Sequence, residues 1–498
     1  MQPETSAPTR LPLVPAGLPI VIGLQSDGQF AGFDPWRLRD FLEAEFRARR
    51  ERYPHSPFLL YIRAESVPRV IGSAAAAACD IPVLEPPLGP LALFCHLLID
   101  ISVLAQPNAA VTASGAEPLE GDLLEFEAEM KVEVIRVQLS DSSAQVRQQI
   151  SRFGLDESPH DRLVHPKPDN RLMMRTDRFN RDATTRAAVP AVGGAFEFTI
   201  EVLYARADAL ALVFQREIHR AFRVIFVLAS AAALFYGLFT MVAGTGVELQ
   251  RDMLFGYIVL IMVSYSVFVY ARQRDLHSRF VEYRTLAEGL RVQHYWQACG
   301  ITRAAAACYL IRQPLEYRWI RLALWRVAAT NPPVATASGP DGSSAASALR
   351  GWIDEQEQYF AATHARSAWF ESRLRYLVAG IFLTGLGASL LIMLAQYVHL
   401  SKPTQVHIGL VSFLCPALSA AIIALVTKLG LLYQASHYGR MQAVFDQARR
   451  RLRRHPSGAT ARIAIALGEE ALLENESWAQ SRRERGMDEP TSPFRRPW

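Results

Sequence analysis

Polar residues follow two apolar segments near the start of the chain, and they are the first candidates for chemistry. The segment PIVIGL runs from Pro19 into the loop sequence GLQSDG, and FLLYIR runs from Phe58 into Ala64-Glu65-Ser66. Backbone N–H groups in a glycine-containing loop or at a helix N-terminus bind phosphate groups. A loop with one or two glycines is also an ordinary turn, so both interpretations stay open.

The sequence lacks residue groupings typical of catalysis or metal binding. It has no P-loop, no nucleophile elbow and no Cys or His spacing of the kind that holds zinc. The five cysteines are scattered, which predicts a reduced interior without disulfides. We therefore expect no enzyme activity, no metal and no cofactor.

The elements that would position the polar residues alternate between strand and helix. Helices are expected after Asp34-Pro35 and over the alanine-rich residues 73–79, and further strands over IPVLEP, HLLIDISV and EMKVEVIRVQ. This order predicts a parallel sheet with right-handed crossovers, a Rossmann-like α/β domain over residues 19–140 that follows a tail, residues 1–18. Such sheets bind ligands beyond the carboxyl ends of their strands.

The next segment, residues 141–200, is polar and is expected to be a connector. Its cluster RLMMRTDRFNRD contains Asp177 and Asn180, which we interpret as helix caps.

Four segments lack charged residues over about the 20 residues that a helix needs to cross a bilayer. They are residues 224–243, 253–271, 377–398 and 408–427, and short loops join them into two hairpins. Arg and Lys cluster at the outer ends of both hairpins, whereas the connecting loops carry only Arg251 and Lys402. The positive-inside rule therefore predicts a multi-pass membrane protein whose termini and central segment face the cytoplasm.

The charge pattern excludes two classes of function. The net charge is +5, and the basic excess lies beside the spans, where anionic lipid headgroups would meet it, so we expect no nucleic-acid partner. The run RRRLRR, from Arg449, is expected to be a juxtamembrane anchor. The spans carry no Asp, Glu, Arg, Lys or His, which argues against a proton- or ion-coupled transporter. Small residues such as Gly385 and Ala417 favour close helix packing, within the chain or between subunits.

Helical patterns flank the spans. Residues 201–272 contain an amphipathic helix and the first hairpin, and residues 273–375 form a helical block with a Pro/Gly/Ser-rich linker at 331–348. Residues 376–435 hold the second hairpin, and 436–498 the C-terminal helices and tail. A basic amphipathic helix precedes each hairpin, which suggests an internal duplication.

One helix of the central block carries an apolar stripe out of the membrane. The stripe comprises Leu276, Phe280, Tyr283, Ala287, Leu290 and His294. Arg284, Glu288 and Arg291 are expected to form the opposite, charged face. We interpret His294 as a packed histidine.

Several motifs resemble the SLATT-type family of bacterial membrane effectors, which are found with SLOG sensor domains. The motifs are YRTLAEGLRVQHYW, YLIRQPLEYRWIRLALWR, WIDEQEQYF, YGRMQAVFDQA and LGEEALLENESWAQSRRER. The resemblance covers Glu201 to about Arg485. It implies an N-terminal SLOG-like domain that recognises a nucleotide or a nucleotide-derived second messenger. The first loop, GLQSDGQ, departs from the Gly-rich loop of that domain, and Ser66-Val67-Pro68 stands where the family has Gly-Ala-Asp.

The resemblance implies a function for the whole chain. It would be a homo-oligomeric effector of the bacterial inner membrane that permeabilises the membrane in a defence response. The implied phosphate contacts are Gly23, Ser26, Ser66 and Arg69, and the implied coupling helix carries Tyr283, Arg284, Ala287, Glu288, Leu290 and Arg291. Two alternatives stay open: a non-catalytic scaffold, and a membrane-tethered nucleotide-processing enzyme that uses Asp27, Glu65 or Asp100.

Overall fold

A computed structural model gives the architecture. It describes residues 17–26, 35–63, 67–84, 95–103, 133–139, 147–152, 171–187, 199–241, 247–311, 317–330, 343–398, 401–429, 431–454 and 460–484. The chain divides into two compact units. The first comprises residues 1–210, 285–297 and 302–333, and the second residues 211–284, 298–301 and 334–498.

The first unit contains a six-stranded sheet of order β3-β2-β1-β4-β5-β6. Its strands are β1 (Ile20–Ser26), β2 (Phe58–Arg63), β3 (Val83–Leu84), β4 (Leu97–Val103), β5 (Glu133–Leu139) and β6 (Arg147–Arg152). The parallel sheet expected from the sequence is present, because β1 to β5 all pair in parallel. The edge strand β6 pairs antiparallel with β5 and was not predicted.

Helices α1 (Pro35–Arg52) and α2 (Val67–Ala78) cover one face of this sheet. Even-numbered residues of β1, such as Ile20 and Ile22, share a buried cluster with Leu42 and Phe46 of α1. Gly72 lets α2 approach the sheet closely, since a Cβ there would lie 2.5 Å from Leu24 Cδ2. The apolar strands form because both of their faces are buried, which is typical of parallel sheets.

A further helix, α3 (Arg171–Arg186), lies inside the segment that we predicted to be a polar connector. Its residues Leu172, Met173 and Phe179 are buried. The prediction for residues 141–200 was therefore wrong for β6 and α3, which are ordered parts of the first unit. The sequence pattern did not predict β6 and α3, because few of their residues are apolar.

Eight more helices complete the described chain. They are α4 (Ile200–Met241), α5 (Val247–Gln273), α6 (Leu276–Ala298), α7 (Arg318–Thr330), α8 (Ser343–Val398), α9 (Lys402–Leu429), α10 (Leu431–Arg454) and α11 (Thr460–Glu484). The predicted spans fall in α4, α5, α8 and α9, although 242–243 lie outside the described residues. Each of these four helices is long and apolar enough to cross a membrane.

The apolar segments of these four helices are mostly exposed, with only 6–17% of their residues buried. Met393 is 62% exposed and Phe255 is 68% exposed. Water-soluble proteins rarely expose apolar surface on this scale, whereas lipid covers it at no cost. The surface of the second unit is thus compatible with contact to a lipid bilayer.

The two hairpins follow one plan. In each, a long helix (α4 or α8) is followed by a helix that returns along it (α5 or α9). A further helix (α6 or α10) then also runs antiparallel to the long helix. Asp275 adopts φ 50° between α5 and α6. Helices α9 and α10 are separated only by residue 430, which lies outside the described residues. This similarity supports the internal duplication suggested by the sequence.

Candidate functional site

The carboxyl edge of the sheet is the candidate ligand site. Gln25 of β1 pairs with Arg63 of β2, so the two strands end side by side. Helix α2 begins at Val67, shortly after β2 ends. Its first N–H groups have no partners within the helix, and the helix dipole is positive there. This geometry favours an anionic group at the edge.

Two predicted contacts lie at this edge. Ser26 is the last residue of β1, and its hydroxyl is buried without a hydrogen-bond partner among the described residues. Arg69 lies in the first turn of α2 and is exposed. Arg63 was not predicted, and it adds a second exposed guanidinium at the end of β2. The described part of the edge can therefore offer a hydroxyl, two cations and a helix N-terminus to a phosphate.

The other two predicted contacts are not at the described edge. Gly23 lies inside β1, where it pairs with Tyr61 and Leu98, because β1 continues for three residues beyond it. The prediction that Gly23 belongs to a phosphate loop was therefore wrong. Ser66 lies outside the described residues, as do Asp27 and Glu65.

The opposite, amino-terminal edge of the sheet is closed by a buried polar network. Asn180 Oδ1 accepts a hydrogen bond from Leu18 N at 2.8 Å, and Asn180 Nδ2 donates to Leu18 O at 2.8 Å. Asp177 Oδ1 accepts from His55 N at 2.9 Å and from the Ser56 hydroxyl at 3.1 Å. Both side chains project from the middle of α3, so the prediction that they are helix caps was wrong. They instead satisfy backbone groups that precede β1 and β2.

His96 extends this network next to β4. Val21 N donates to its Nδ1 at 3.0 Å, and its Nε2 lies 3.2 Å from Thr176 Oγ1. Burial, with a further contribution from Arg318, lowers the pKa of His96 to about 3. Burial raises the pKa of the neighbouring Cys95 thiol to about 12. With these pKa values the thiol stays protonated near pH 7 and is not a thiolate nucleophile, and the imidazole is neutral but only weakly basic.

Contacts within the first unit lead from the sheet to α6. Arg326 of α7 donates from Nη1 to the Tyr61 hydroxyl of β2 at 2.5 Å, and both residues are buried. Leu324 of α7 packs against Gly289 of α6, where a Cβ would lie only 2.7 Å from Leu324 Cδ1. Tyr309 donates to Thr285 O of α6 at 3.1 Å. Helix α7 thus contacts the sheet on one side and α6 on the other.

The predicted apolar stripe of α6 is buried, but its predicted charged face is buried too. Tyr283, Ala287 and Leu290 are fully buried, and Tyr283 packs edge-on against Phe214 of α4 at 5.5 Å. Glu288 and Arg291 form an ion pair in which only 6% and 12% of the side chains are exposed. The charged face predicted from the sequence is therefore buried at these two residues. Arg284 is half-buried.

Charged residues of α6 and α4 lie close together. Burial lowers the pKa of Arg291, but the neighbouring Glu288 carboxylate raises it by more. The pKa of Arg291 therefore lies above its usual value. His294 Nδ1 lies 3.1 Å from Glu201 Oε1 of α4. The hydrogen bond from His294 lowers the pKa of Glu201. His294 is therefore half-exposed and paired, which contradicts its interpretation as a packed histidine.

The membrane hairpins pack through small residues and hydroxyl groups. Ser264 of α5 donates to Ile225 O of α4 at 3.4 Å, and Ser419 of α9 donates to Val378 O of α8 at 3.4 Å. A Cβ on Gly385 would lie 2.6 Å from Pro416 Cδ, so these backbones approach closely. A Cβ on Gly237 of α4 would similarly meet the Phe413 ring of α9, which brings the two hairpins into contact. The small-residue packing predicted for Gly385 occurs within the chain.

Among the described residues, no three or more His, Cys, Asp or Glu side chains are grouped to hold a metal ion. Comparisons of the chain with protein-family models, with curated proteins and with solved structures give no match.

Proposed function

We propose that the chain is a sensor-gated membrane effector. Its Rossmann-like domain binds a nucleotide-type signal at the carboxyl edge of the sheet, and its helices transmit the bound state to four membrane helices that permeabilise the membrane. The observation that carries the proposal is the contact series from β2 through Arg326 of α7 and Gly289 to α6. This series joins a sheet with a phosphate-favouring edge to a helix that follows a membrane span.

The chemistry of the edge supports a phosphate-bearing ligand. Arg63 and Arg69 would hold phosphate oxygens, because guanidinium groups match their geometry. The strand order of the sheet, with β1 at its centre, is that of dinucleotide-binding sheets, and the crevice lies where the order reverses. The resemblance to SLATT-type effectors points to the same class of signal and to a bacterial defence response in the inner membrane.

Gating requires that the ligand bind one state of the protein better than the other. The membrane helices would change state in one of two ways. The two hairpins would slide past each other along their small-residue contacts, or the subunits of a homo-oligomer would separate. Ligand binding at β1 and β2 would bias the position of α7 through Arg326, and α7 would bias α6.

The test uses the full chain in liposomes that contain a self-quenching dye. We expect a nucleotide from a panel of linear and cyclic nucleotides to release the dye, and Arg69→Gln to raise the concentration required by about tenfold or more, the effect of one charge-assisted hydrogen bond. Arg47→Gln is the matched control, since Arg47 is an exposed arginine on α1 that pairs with Glu43. Dye retention with every nucleotide would refute the proposal, as would equal effects of the two variants.

A further inference from the structure

A pocket of ≈ 320 Å³ lies in the second unit between α8 and α10. Helix α8 contributes Arg350, Ile353 and Asp354, and α10 contributes Arg449, Leu452 and Arg453. Trp352 of α8 packs edge-on against Phe445 of α10 at 6.0 Å, and His364 of α8 lies against Gly439 of α10. The two helices are therefore antiparallel here. Three guanidinium groups thus line the pocket together with one carboxylate.

The positive charge of the pocket is only partly neutralised. Arg449 Nη2 pairs with Glu357 and lies 3.6 Å from Asp354 Oδ1. Arg350 donates its Nε to Ala346 O of its own helix at 3.1 Å. Within the described residues, neither Arg350 nor Arg453 forms an ion pair, and the buried Arg449 Nε makes no hydrogen bond. The pocket therefore retains donors and charge for an anion.

The pocket is too far from the apolar segments to meet lipid headgroups. Asp354 precedes the apolar run at Leu377 by roughly 23 residues, which is roughly 35 Å along a helix. Helix α10 follows α8 over this distance, as the close approach of Gly439 to His364 shows. Surface charges act over only about 8–10 Å in salt solution. This distance does not favour the anchoring of RRRLRR at the membrane for Arg449 and Arg453, and that anchoring stays a prediction.

We propose that this pocket binds a small soluble phosphate ester. Guanidinium groups from both helices would hold the phosphate oxygens in bidentate fashion, as arginine does where phosphate is recognised. Ile353 and Leu452 would contact the organic part of the ligand. The volume is near the lower limit of small-molecule sites, about 300 Å³, which suits a sugar phosphate. The bound ester bridges α8 and α10, so it stabilises their pairing outside the membrane.

Isothermal titration of the full chain in phosphatidylcholine nanodiscs tests this site. The probe is ribose 5-phosphate, which lacks a nucleobase, and ribose is the uncharged control. We expect binding of ribose 5-phosphate only, weakened about tenfold or more by Arg350→Gln and by Arg453→Gln. Arg451→Gln should bind normally, because Arg451 is exposed on the same turn of α10 and does not line the pocket.

The other outcomes would overturn the proposal. No heat of binding, or equal binding of ribose, would exclude a phosphate site. If Arg69→Gln abolishes binding while Arg350→Gln and Arg453→Gln leave it intact, the ester binds only at the sheet. If these two pocket variants weaken adhesion to phosphatidic acid vesicles and leave ribose 5-phosphate binding intact, the pocket serves lipid headgroups instead of a soluble ester.

Discussion

The hydrogen bond between Arg326 and Tyr61 should contribute measurably to the stability of the first unit. Arg326 is 6% exposed and Tyr61 is 3% exposed, and the guanidinium lies 5.7 Å from the centre of the Tyr61 ring. Burial lowers the pKa of Arg326, and Tyr61 opposes this shift. Tyr61→Phe removes the acceptor and leaves a buried cation short of one partner. We expect a loss of about 2 kcal/mol, typical of a hydrogen bond to a charged group.

The double variant separates this bond from general disruption. Arg326→Met leaves the Tyr61 hydroxyl buried without its donor, at a cost of about 1–3 kcal/mol. In Tyr61→Phe/Arg326→Met both polar groups are gone, so the combined loss should be about 1–2 kcal/mol smaller than the sum of the single losses.

Tryptophan fluorescence during heating, together with hydrogen exchange of the β2 peptide, measures these losses. A loss of 2 kcal/mol corresponds to a midpoint lower by about 4–8 °C for a unit of this size. Additive effects of the two substitutions would refute the reasoning, because they would show that the two groups do not interact.

Three further predictions test the packing, the pH dependence and the topology. Gly289→Ala gains about 1 kcal/mol of helix propensity, but it places a methyl group 2.7 Å from the buried Leu324, and such overpacking costs about 1–3 kcal/mol. The substitution should therefore lower the thermal midpoint. A higher midpoint would contradict the contact. The pKa of His96 is about 3 in the folded chain against 6.5 when exposed, so its contribution to stability is complete above pH 6.5 and is lost as the pH falls towards 3. His96→Asn should flatten this acid dependence in thermal scans, and an unchanged slope would rule out His96 as its source. The positive-inside rule predicts that the termini and the central segment face the cytoplasm. An impermeant thiol reagent added outside cells should then label Val247→Cys and not Gly339→Cys, and the reverse pattern would contradict this orientation.

Apolar patterns made most of the sheet and the four long helices predictable. The strand at Phe58 was predicted with its observed bounds, because a buried parallel strand is a short continuous apolar run. β6 was missed because RQQISR has one apolar residue and lies at the sheet edge. α3 was missed because its buried Asp177 and Asn180 contact residues far away in sequence, which local periodicity does not report.

Charged residues of the candidate sites were harder to place for a related reason. Glu288 and Arg291 look like an exposed face because burial of a charge depends on its partner and on what covers it. The positions of Ser26 and Arg69 at the sheet edge were predictable, because one lies at the end of a strand and the other in the first turn of a helix. The position of Gly23 could not be predicted without knowing where β1 ends.

The unbroken length of α8 has a mechanical consequence. The helix has 56 residues, and roughly 34 of them, about 51 Å, precede its apolar run. If this helix moves as one body about its apolar run, a tilt of about 5° there would displace the far end by about 4 Å. In this way a small force applied far from the apolar run would exert a torque on the second hairpin.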